Sequence, residues 1–305
     1  MTAAGIDIGG TKIETQIFGA SWERLETART GTPATYEALV AAIAAQVRWA
    51  MERLPEGAPI GVGAAGLINP ATGLALAANL PVTGKPFPAD VAAAAGRSVT
   101  FVNDCRAFAL SEAVFGAAKG RSPAVGLILG TGVGGGVVVG GRLVQGLSAV
   151  GGEFGHAYAP AHLVVEHGLP IRRCGCGRTG CFETYVAGPG LARLAETLTG
   201  RPMTPPELVE ARSSDPAAAK VWDIWCQITA EMLMTLICMV DPAVIVLGGG
   251  LSQIPGLTDD LTAALGRAQL SGFSIPELVL AEGGEASGAR GAAYAAATAG
   301  EAPHG

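Results

Sequence analysis

Residues 3–18 read AAGIDIGGTKIETQIF, and residues 124–139 read AVGLILGTGVGGGVVV. In each stretch an apolar run is followed by a glycine-rich turn and a second run, a pattern typical of a β-hairpin. The same device therefore opens each half of the 305-residue chain, and this internal echo predicts two related halves. Glycine supplies 45 residues, and the excess is clustered rather than periodic, which excludes collagen-like order.

Strand and helix patterns alternate along the rest of the chain, which favours an α/β fold. Apolar groups at helical spacing predict helices over residues 34–54, 106–118, 222–240 and 286–299. Short apolar runs predict strands over 60–65, 99–102 and 243–247. The stretch KGRSP at 119–123 predicts a linker, so we expect one α/β domain at 1–118 and a larger one at 119–285.

Charge and hydropathy exclude several classes of partner. The chain has 20 basic and 26 acidic residues, net charge −6, without a basic block, which argues against nucleic-acid and membrane surfaces and favours small molecules. Its most apolar stretches are interrupted by Glu231 and Asp241 and fall short of a membrane span. Asp7 interrupts the apolar start where a signal peptide would continue, so we expect a cytoplasmic protein.

Three glycine-rich turns follow apolar runs, at 9–12, 130–136 and 248–250. Glycine lets backbone N–H groups approach an anion, so the repetition predicts phosphate binding, although any one turn is equally compatible with a tight hairpin. The P-loop pattern GxxxxGK[ST] is absent. Residues 130–135 do match GxGxxG, but VVVGGRLV continues as a strand where a dinucleotide fold needs a helix.

The six cysteines fall into two groups. Cys105, Cys226 and Cys238 stand singly among apolar residues and are predicted to be small buried hydrophobes. The other three lie within RRCGCGRTGC, which favours a structural zinc site over disulfides in a reducing compartment. A structural zinc site has four ligands, which here would be the thiolates of Cys174, Cys176 and Cys181 and one histidine. The spacing permits His156, His162 or His167 as that histidine.

Six motifs in order resemble the ROK family (repressors, open reading frames and sugar kinases). They are DIGGTK at 7–12, ND at 103–104, GTGVGGG at 130–136, GGEFGH at 151–156, CGCGRTGCFE at 174–183 and DPAVIVLGGGLS at 241–252. The resemblance covers residues 5 to about 252. It implies an actin-like (ribonuclease H-like) α/β fold of two domains with ATP and a hexose in the cleft between them, the helix at about 286–300 packing back on the first domain.

The positions of this sequence that match the motifs of the family imply which residues form the site. The phosphates of ATP, with Mg²⁺, would meet Gly9, Gly10, Thr11, Lys12, Gly130, Thr131, Gly132 and Gly134. The adenosine would lie near Gly248, Gly249 and Gly250. Sugar hydroxyls would be bound by Asn79, Asn103, Asp104, Glu153, His156 and Glu183. His156 would also complete the zinc site in the second domain with Cys174, Cys176 and Cys181.

Within the family, residues 79–87, 103–113 and 170–188 look closest to bacterial N-acetylglucosamine kinases, and the 17-residue segment between His156 and Cys174 resembles both that branch and the fructokinase branch. The resemblance thus implies ATP-dependent phosphorylation of the 6-hydroxyl of N-acetyl-D-glucosamine by a homodimer. Fructokinase and glucokinase activities are the alternatives, and a sugar-sensing regulator is the alternative of another class. Family repressors carry a helix-turn-helix ahead of DIGGTK, which here starts at residue 7.

Asp104 is the residue that the resemblance assigns to chemistry, as general base for the sugar hydroxyl. Because Asp104 follows a strand and precedes a helical run, it also reads as a helix N-cap, and we expect the helix N-terminus to lower its pKa. Cys105 and Arg106 follow it where the family usually has a small residue and Asn, so the floor of the pocket is expected to differ.

Overall fold

A computed structural model of the chain describes residues 2–300. The chain divides into two compact units. The first unit takes the described residues of Met1–Gly120, Gly136–Gly151 and Glu282–Gly305. The second unit takes Arg121–Gly135 and Gly152–Ala281.

Residues 2–120 form seven strands and three helices. The strands are β1 Ala3–Ile8, β2 Lys12–Phe18, β3 Arg24–Gly31, β4 Ile60–Ala64, β5 Leu67–Ile68, β6 Ala75–Leu76 and β7 Thr100–Asn103. The helices are α1 Tyr36–Met51, α2 Phe87–Ala95 and α3 Asp104–Phe115. The predicted hairpin at 3–18 and the predicted strands near 60 and 100 are confirmed, and the predicted helix at 34–54 is slightly shorter in the structure.

The remainder of the described chain forms five strands, seven α-helices and three short 3₁₀ helices. The strands are β8 Ala124–Leu129, β9 Val133–Val139, β10 Arg142–Leu143, β11 Val244–Gly248 and β12 Glu277–Leu280. The helices are α4 Ala161–Glu166, α5 Glu183–Val186, α6 Gly188–Thr199, α7 Pro205–Ala211, α8 Pro216–Val240, α9 Leu257–Ala268 and α10 Ser287–Ala297.

The two five-stranded sheets repeat one strand order. The first runs β3-β2-β1-β4-β7 and the second β10-β9-β8-β11-β12. In the first sheet β1, β4 and β7 are parallel and β2 is antiparallel to β1; in the second, β8, β11 and β12 are parallel. The internal repeat in the sequence therefore corresponds to a repeated sheet topology, and this repeated mixed sheet is that of the actin-like fold.

The last helix packs on the first sheet because small residues let the backbones approach. A Cβ atom at Gly5 or Gly61 would collide with the carbonyl oxygen of Ala289 or Ala292 on α10. The Ala- and Gly-rich composition of α10 therefore serves close packing against β1 and β4.

The glycine run 130–136 is only partly a turn, contrary to the prediction. β9 already begins at Val133, because glycine at 135 leaves room for the carbonyl oxygen of Gly126 on the neighbouring strand β8. The turn itself is limited to residues 130–132.

One helix within residues 2–300, α8, is long and apolar enough to cross a membrane by length and composition. Half of its most apolar window is buried, and it lies against α6, α7 and α9. The indole of Trp225 is fully buried and donates to the carbonyl oxygen of Val186 at 3.0 Å. These are the properties of the core helix of a globular unit.

Candidate active site

The carboxyl ends of the parallel strands in the first unit bring three polar residues to one sheet edge. In the register, Ile8 of β1 lies beside Ala64 of β4, and Ala64 lies beside Asn103 of β7. Asp7 therefore comes to the same edge as Asn103 and Asp104. Ligands of open α/β sheets bind outside this edge.

Asn103, rather than Asp104, is the N-cap of α3. Its side-chain oxygen accepts a hydrogen bond from the backbone N–H of Arg106 at 3.1 Å, and its amide donates to the carbonyl oxygen of Gly66 at 3.0 Å. Asp104 is the first helical residue, and its Oδ1 accepts from the backbone N–H of Cys105 at 2.8 Å. The N-cap reading of Asp104 is therefore wrong.

The expected low pKa of Asp104 is also wrong. Burial raises the pKa of this carboxyl above its ordinary value, and the hydrogen bonds from Cys105 and Asn103 only partly offset that effect. The desolvation of the carboxylate thus outweighs the favourable field of the helix N-terminus. A proton acceptor stronger than an ordinary aspartate results.

Asp7 is a candidate site residue that the sequence analysis did not single out. Burial, followed by the charges of Asp104 and Glu14, raises its pKa to about 6, while Lys12 acts in the opposite direction. The carboxylate lies so close to Gly288 that a Cβ there would be 2.7 Å from Asp7 Oδ2. Its position as the first letter of DIGGTK was the available signal.

The turn after Asp7 is closed by its own backbone. The Gly9 N–H donates to the carbonyl oxygen of Lys12 at 2.9 Å, and Thr32 N–H donates to that of Thr11 at 3.1 Å. A Cβ at Gly10 would meet open space, so the outer side of the turn is accessible. Lys12 Nζ lies 3.4 Å from the carboxylate of the buried Glu14.

Asn79 and Arg106 are the other residues of the first unit that the sequence analysis singled out. Asn79 is exposed in the loop that follows β6. Arg106, which departs from the family pattern, is buried and donates to the carbonyl oxygens of Val144 and Ala149 at 2.8 and 3.1 Å. Its guanidinium lines a cavity of about 450 Å³ in this unit and fixes the segment after β10.

In the second unit, two glycine turns meet because β8 and β11 are adjacent and parallel. A Cβ at Gly130 would lie 3.9 Å from the backbone nitrogen of Gly250. Gly249 has φ +86° and lies against the carbonyl group of Leu129, so only glycine fits there. Thr131 is exposed beside this meeting point.

The four sulfur and nitrogen atoms of the cysteine and histidine cluster lie within 4.8 Å of one another. Cys176 Sγ and Cys181 Sγ are 3.7 Å apart, and Cys174 Sγ is 3.6 Å from His156 Nδ1. A tetrahedral zinc with bonds of about 2.0–2.3 Å requires ligand separations of about 3.5–3.8 Å. The donor set therefore fits zinc in chemistry, and the Cys176–Cys181 and Cys174–His156 separations match the spacing of zinc ligands.

The other predicted ligands lie outside the cluster. His162 is exposed on α4 with its Nε2 3.7 Å from Glu231, and His167 ends the same helix.

The three single cysteines were predicted to be small buried hydrophobes. Cys226 is buried as expected, but Cys238 is exposed near the end of α8, so its assignment as a buried hydrophobe is wrong. Cys105 is only partly buried.

Two carboxylates lie beside the cluster. Glu153 Oε2 is 3.5 Å from His156 Nε2, the ring nitrogen that faces away from the thiols. Glu183 Oε1 is 3.6 Å from Cys174 Sγ, and its Oε2 accepts from the backbone N–H of Val133 at 3.0 Å. A carboxylate at the second nitrogen of a ligating histidine fixes its tautomer and orientation.

Comparison with known proteins gives relatives over nearly the whole chain. An N-acetylgalactosamine kinase, AgaK, from Shewanella sp. (strain ANA-3) is 40% identical over 95% of this chain and 94% of its own. An N-acetyl-D-glucosamine kinase of Escherichia coli (strain K12) is 38% identical over 95% and 97%. The crystal structure of a ROK hexokinase from Thermus thermophilus superposes with a TM-score of 0.86 at 34% identity, over 98% and 99%.

The family profile leaves little of the chain unmatched. It covers residues 3–299, and the motifs it spans include the glycine turns, the Asn103–Asp104 pair and the Cys₃His cluster described above. The chain therefore belongs to the ROK family.

Proposed function

We propose that this protein is an ATP-dependent kinase that phosphorylates the 6-hydroxyl of an N-acetylhexosamine, with N-acetyl-D-glucosamine as the preferred acceptor. Relatives of 38–40% identity that act on N-acetylglucosamine and N-acetylgalactosamine support the substrate class. The observation that carries the chemistry is Asp104, a half-buried carboxylate of raised pKa at the carboxyl end of β7.

Asp104 is the proposed general base. Its Oδ1 accepts a hydrogen bond from the Cys105 N–H, which orients the carboxylate that would accept the proton of the sugar 6-hydroxyl. As that proton leaves, the sugar oxygen forms a bond to the γ-phosphorus, and the bond from that phosphorus to the oxygen bridging to the β-phosphate breaks. Positioning supplies most of the catalysis in such transfers, so a fixed carboxylate matters more than a strong base.

The phosphates of ATP are proposed to meet the turn Gly9–Lys12, whose outer side is open. Lys12 would exchange Glu14 for a phosphate oxygen, and Asp7 would accept hydrogen bonds from water on Mg²⁺ or bind the ion directly. Mg²⁺ bound with ATP neutralises charge on the phosphate oxygens. A carboxyl with a pKa of about 6 is mostly ionised at neutral pH and therefore suited to hold a cation.

In the second unit, the meeting glycine turns support a proposed nucleotide role. The residues concerned are Gly130, Thr131, Gly132 and Gly134 for phosphates and Gly248, Gly249 and Gly250 for adenosine. Glu153, His156 and Glu183 are proposed to bind sugar hydroxyls, as are Asn79 and Asn103 of the first unit. Because the side chains of Glu153 and His156 are each 27% exposed, a ligand can reach both.

The Cys₃His cluster is proposed to hold one structural zinc ion. Burial and the Glu183 carboxylate raise the pKa of Cys174, so adjacent thiolates need a cation beside them. Four protein ligands close the coordination sphere, and the ion therefore fixes the loop rather than activating water. Close cysteines that form no disulfide are typical of a reducing compartment, which supports the proposed cytoplasmic location.

A panel of acceptors tests the proposed function. Phosphate transfer from Mg-ATP is measured with N-acetylglucosamine, N-acetylgalactosamine, N-acetylmannosamine, glucose, mannose and fructose, compared by kcat/KM. We expect an N-acetylhexosamine to be best and the product to carry phosphate on O6. A best result with glucose or fructose would instead favour the glucokinase or fructokinase reading. Sugar binding without transfer would favour a non-catalytic sensor.

A further inference from the structure

Arg106 lies on α3, two residues after Asp104, and its buried guanidinium reaches a loop that is distant in the sequence. The loop consists of residues 144–149 and follows β10. Nη1 of Arg106 donates to the carbonyl oxygen of Ala149 at 3.1 Å, and Nη2 donates to that of Val144 at 2.8 Å. One side chain therefore holds both ends of the loop.

The loop buries little apolar surface of its own. Val144 and Leu147 are exposed, Leu147 almost completely, and so is Val150, which follows the loop. Because burial of apolar side chains is the main force that orders a segment, these residues contribute little to the order of the loop. The hydrogen bonds from the buried guanidinium of Arg106 therefore carry much of that order.

Ala149 has a backbone conformation that needs such support. Its φ is +55°, in the left-handed region that residues other than glycine, asparagine and aspartate rarely adopt. A strained conformation of this kind persists only where the surrounding structure enforces it. The hydrogen bond from Arg106 to the carbonyl oxygen of Ala149 supplies that constraint.

The chain passes from this loop to Glu153, which is proposed to bind a sugar hydroxyl. The carbonyl oxygen of Gly152 accepts from the backbone N–H of Gly135 at 2.8 Å, and that of Ala149 accepts from Arg106. Only two residues lie between these two held positions of the backbone. A change in the conformation of Ala149 is therefore passed on to the backbone that presents Glu153.

We propose that Arg106 is a positioning residue of the sugar site, which acts on Glu153 through the 144–149 loop. This inference rests on the sugar-binding role proposed for Glu153. Arginine carries several donors on one planar group at the end of a long side chain, so it can bind two carbonyl oxygens at once. The shorter asparagine that the family usually has at this position could not reach both ends of the loop. The departure from the family pattern therefore has a consequence at the site.

Calorimetric binding of N-acetylglucosamine in the absence of ATP tests the inference. Arg106→Met removes the guanidinium donors but keeps the backbone N–H that donates to Asn103. We expect the sugar Kd to rise by about tenfold, as for the loss of a hydrogen bond to a charged group. The kcat at saturating sugar and the KM for ATP should stay within about threefold of wild type, because Asp104 keeps its place at the start of α3.

Arg97→Met is the matched control. The guanidinium of Arg97 also donates to a backbone carbonyl oxygen of the first unit, that of Ala58, but not to the loop. This variant should bind N-acetylglucosamine like wild type.

Substitutions at Ala149 distinguish positioning from a general loss of stability. Glycine adopts a positive φ without strain, so adding Ala149→Gly to Arg106→Met should restore the sugar Kd to within about threefold of wild type. Valine is strongly disfavoured at a positive φ, so Ala149→Val should weaken sugar binding while Arg106 is intact. Residue 149 is only half-buried, so this variant decides the question if Arg106→Met does not fold.

The possible results separate this inference from the proposed function. Unchanged sugar affinity in folded Arg106→Met or in Ala149→Val, an equal rise in sugar Kd for Arg97→Met, or no rescue by glycine would each overturn the inference. Glu153→Gln is the reference variant. If it weakens sugar binding and Arg106→Met does not, the inference alone is wrong. If Glu153→Gln binds sugar like wild type, or if wild type binds no sugar, the proposed site is wrong and the inference with it.

Discussion

The Glu183 carboxylate accepts a hydrogen bond from the backbone N–H of Val133 at 3.0 Å, at the point where the glycine turn becomes strand β9. The other oxygen of the same carboxylate lies 3.6 Å from Cys174 Sγ. Glu183 is therefore the side chain that joins the turn proposed for phosphates to the cluster proposed for zinc. A sugar-binding role would add a third contact to the same group.

Two substitutions at Glu183 separate its structural role from its proposed binding role. Glu183→Gln keeps an oxygen for the Val133 N–H, whereas Glu183→Ala leaves that buried donor unpaired at a cost of about 1–3 kcal/mol. We expect both variants to raise the KM for sugar, but only the alanine variant to unfold at clearly lower urea concentration. A wild-type sugar KM in the glutamine variant would remove Glu183 from the sugar site.

Cys176→Ser tests the metal. Serine is a poor zinc ligand, so we expect metal analysis to find one zinc per chain in wild type and much less in the variant, together with weaker sugar binding because His156 loses its fixed orientation. Cys238→Ser is the matched control, because that thiol is exposed on α8 and outside the cluster. A zinc-free wild-type protein purified without chelator would refute the assignment.

Asp7→Asn should change stability in a pH-dependent way. The pKa of Asp7 is raised from 3.8 to about 6 in the folded protein. The stability that the protonated carboxyl contributes to the folded state is therefore fully present below about pH 4 and is lost as the pH rises through about 6. A neutral asparagine avoids that loss of stability. A pKa shift of this size corresponds to a change of about 3 kcal/mol at most in the free energy of unfolding.

The measurement is urea unfolding without nucleotide or magnesium. We expect Asp7→Asn to be more stable than wild type at pH 8 and close to it at pH 4, while kinase activity falls at both. A stability difference that stays constant between the two pH values would mean that the Asp7 carboxyl is not desolvated in the folded protein.

Glu112 holds the start of the last helix. Its fully buried carboxylate accepts from Ser287 Oγ at 2.7 Å and from the backbone N–H groups of Gly283 and Glu282 at 2.9 and 3.1 Å. Glu112→Gln replaces one accepting oxygen with a donor, and each N–H or O–H left unpaired costs about 1–3 kcal/mol. The urea midpoint should fall, whereas Glu52→Gln, the same change at a side chain that is 73% exposed, should leave it unchanged.

Local patterns in the sequence were enough for the hairpins, the alternating strands and helices, and the three clustered cysteines. Each of these depends on neighbours within a few residues. The fourth member of the cluster, His156, lies far from the cysteines in sequence, so spacing left three histidines open until the family resemblance was used. The expected homodimer stays a prediction.

The features that could not be predicted from the sequence depend on the burial of side chains and on hydrogen bonds to backbone groups far away in the chain. Arg106 and Glu112 look like ordinary helix-surface charges in a linear pattern, yet both are buried because carbonyl or N–H groups from remote segments satisfy them. The same limit applies to Asp104, since a helix N-terminus is visible in the sequence but desolvation is not. The direction of its pKa shift was therefore predicted with the wrong sign.

Asp104 is the residue proposed to accept the proton of the sugar hydroxyl. Asp104→Asn preserves shape but cannot accept that proton, and it leaves the N-cap of α3 intact because Asn103 supplies it. The direct test combines kcat for phosphate transfer to N-acetylglucosamine with calorimetric sugar binding and thermal melting of the same variant. We expect kcat to fall by about 10²–10⁴ while sugar affinity and melting temperature are retained. Near wild-type kcat in the folded variant would contradict the general-base role of Asp104.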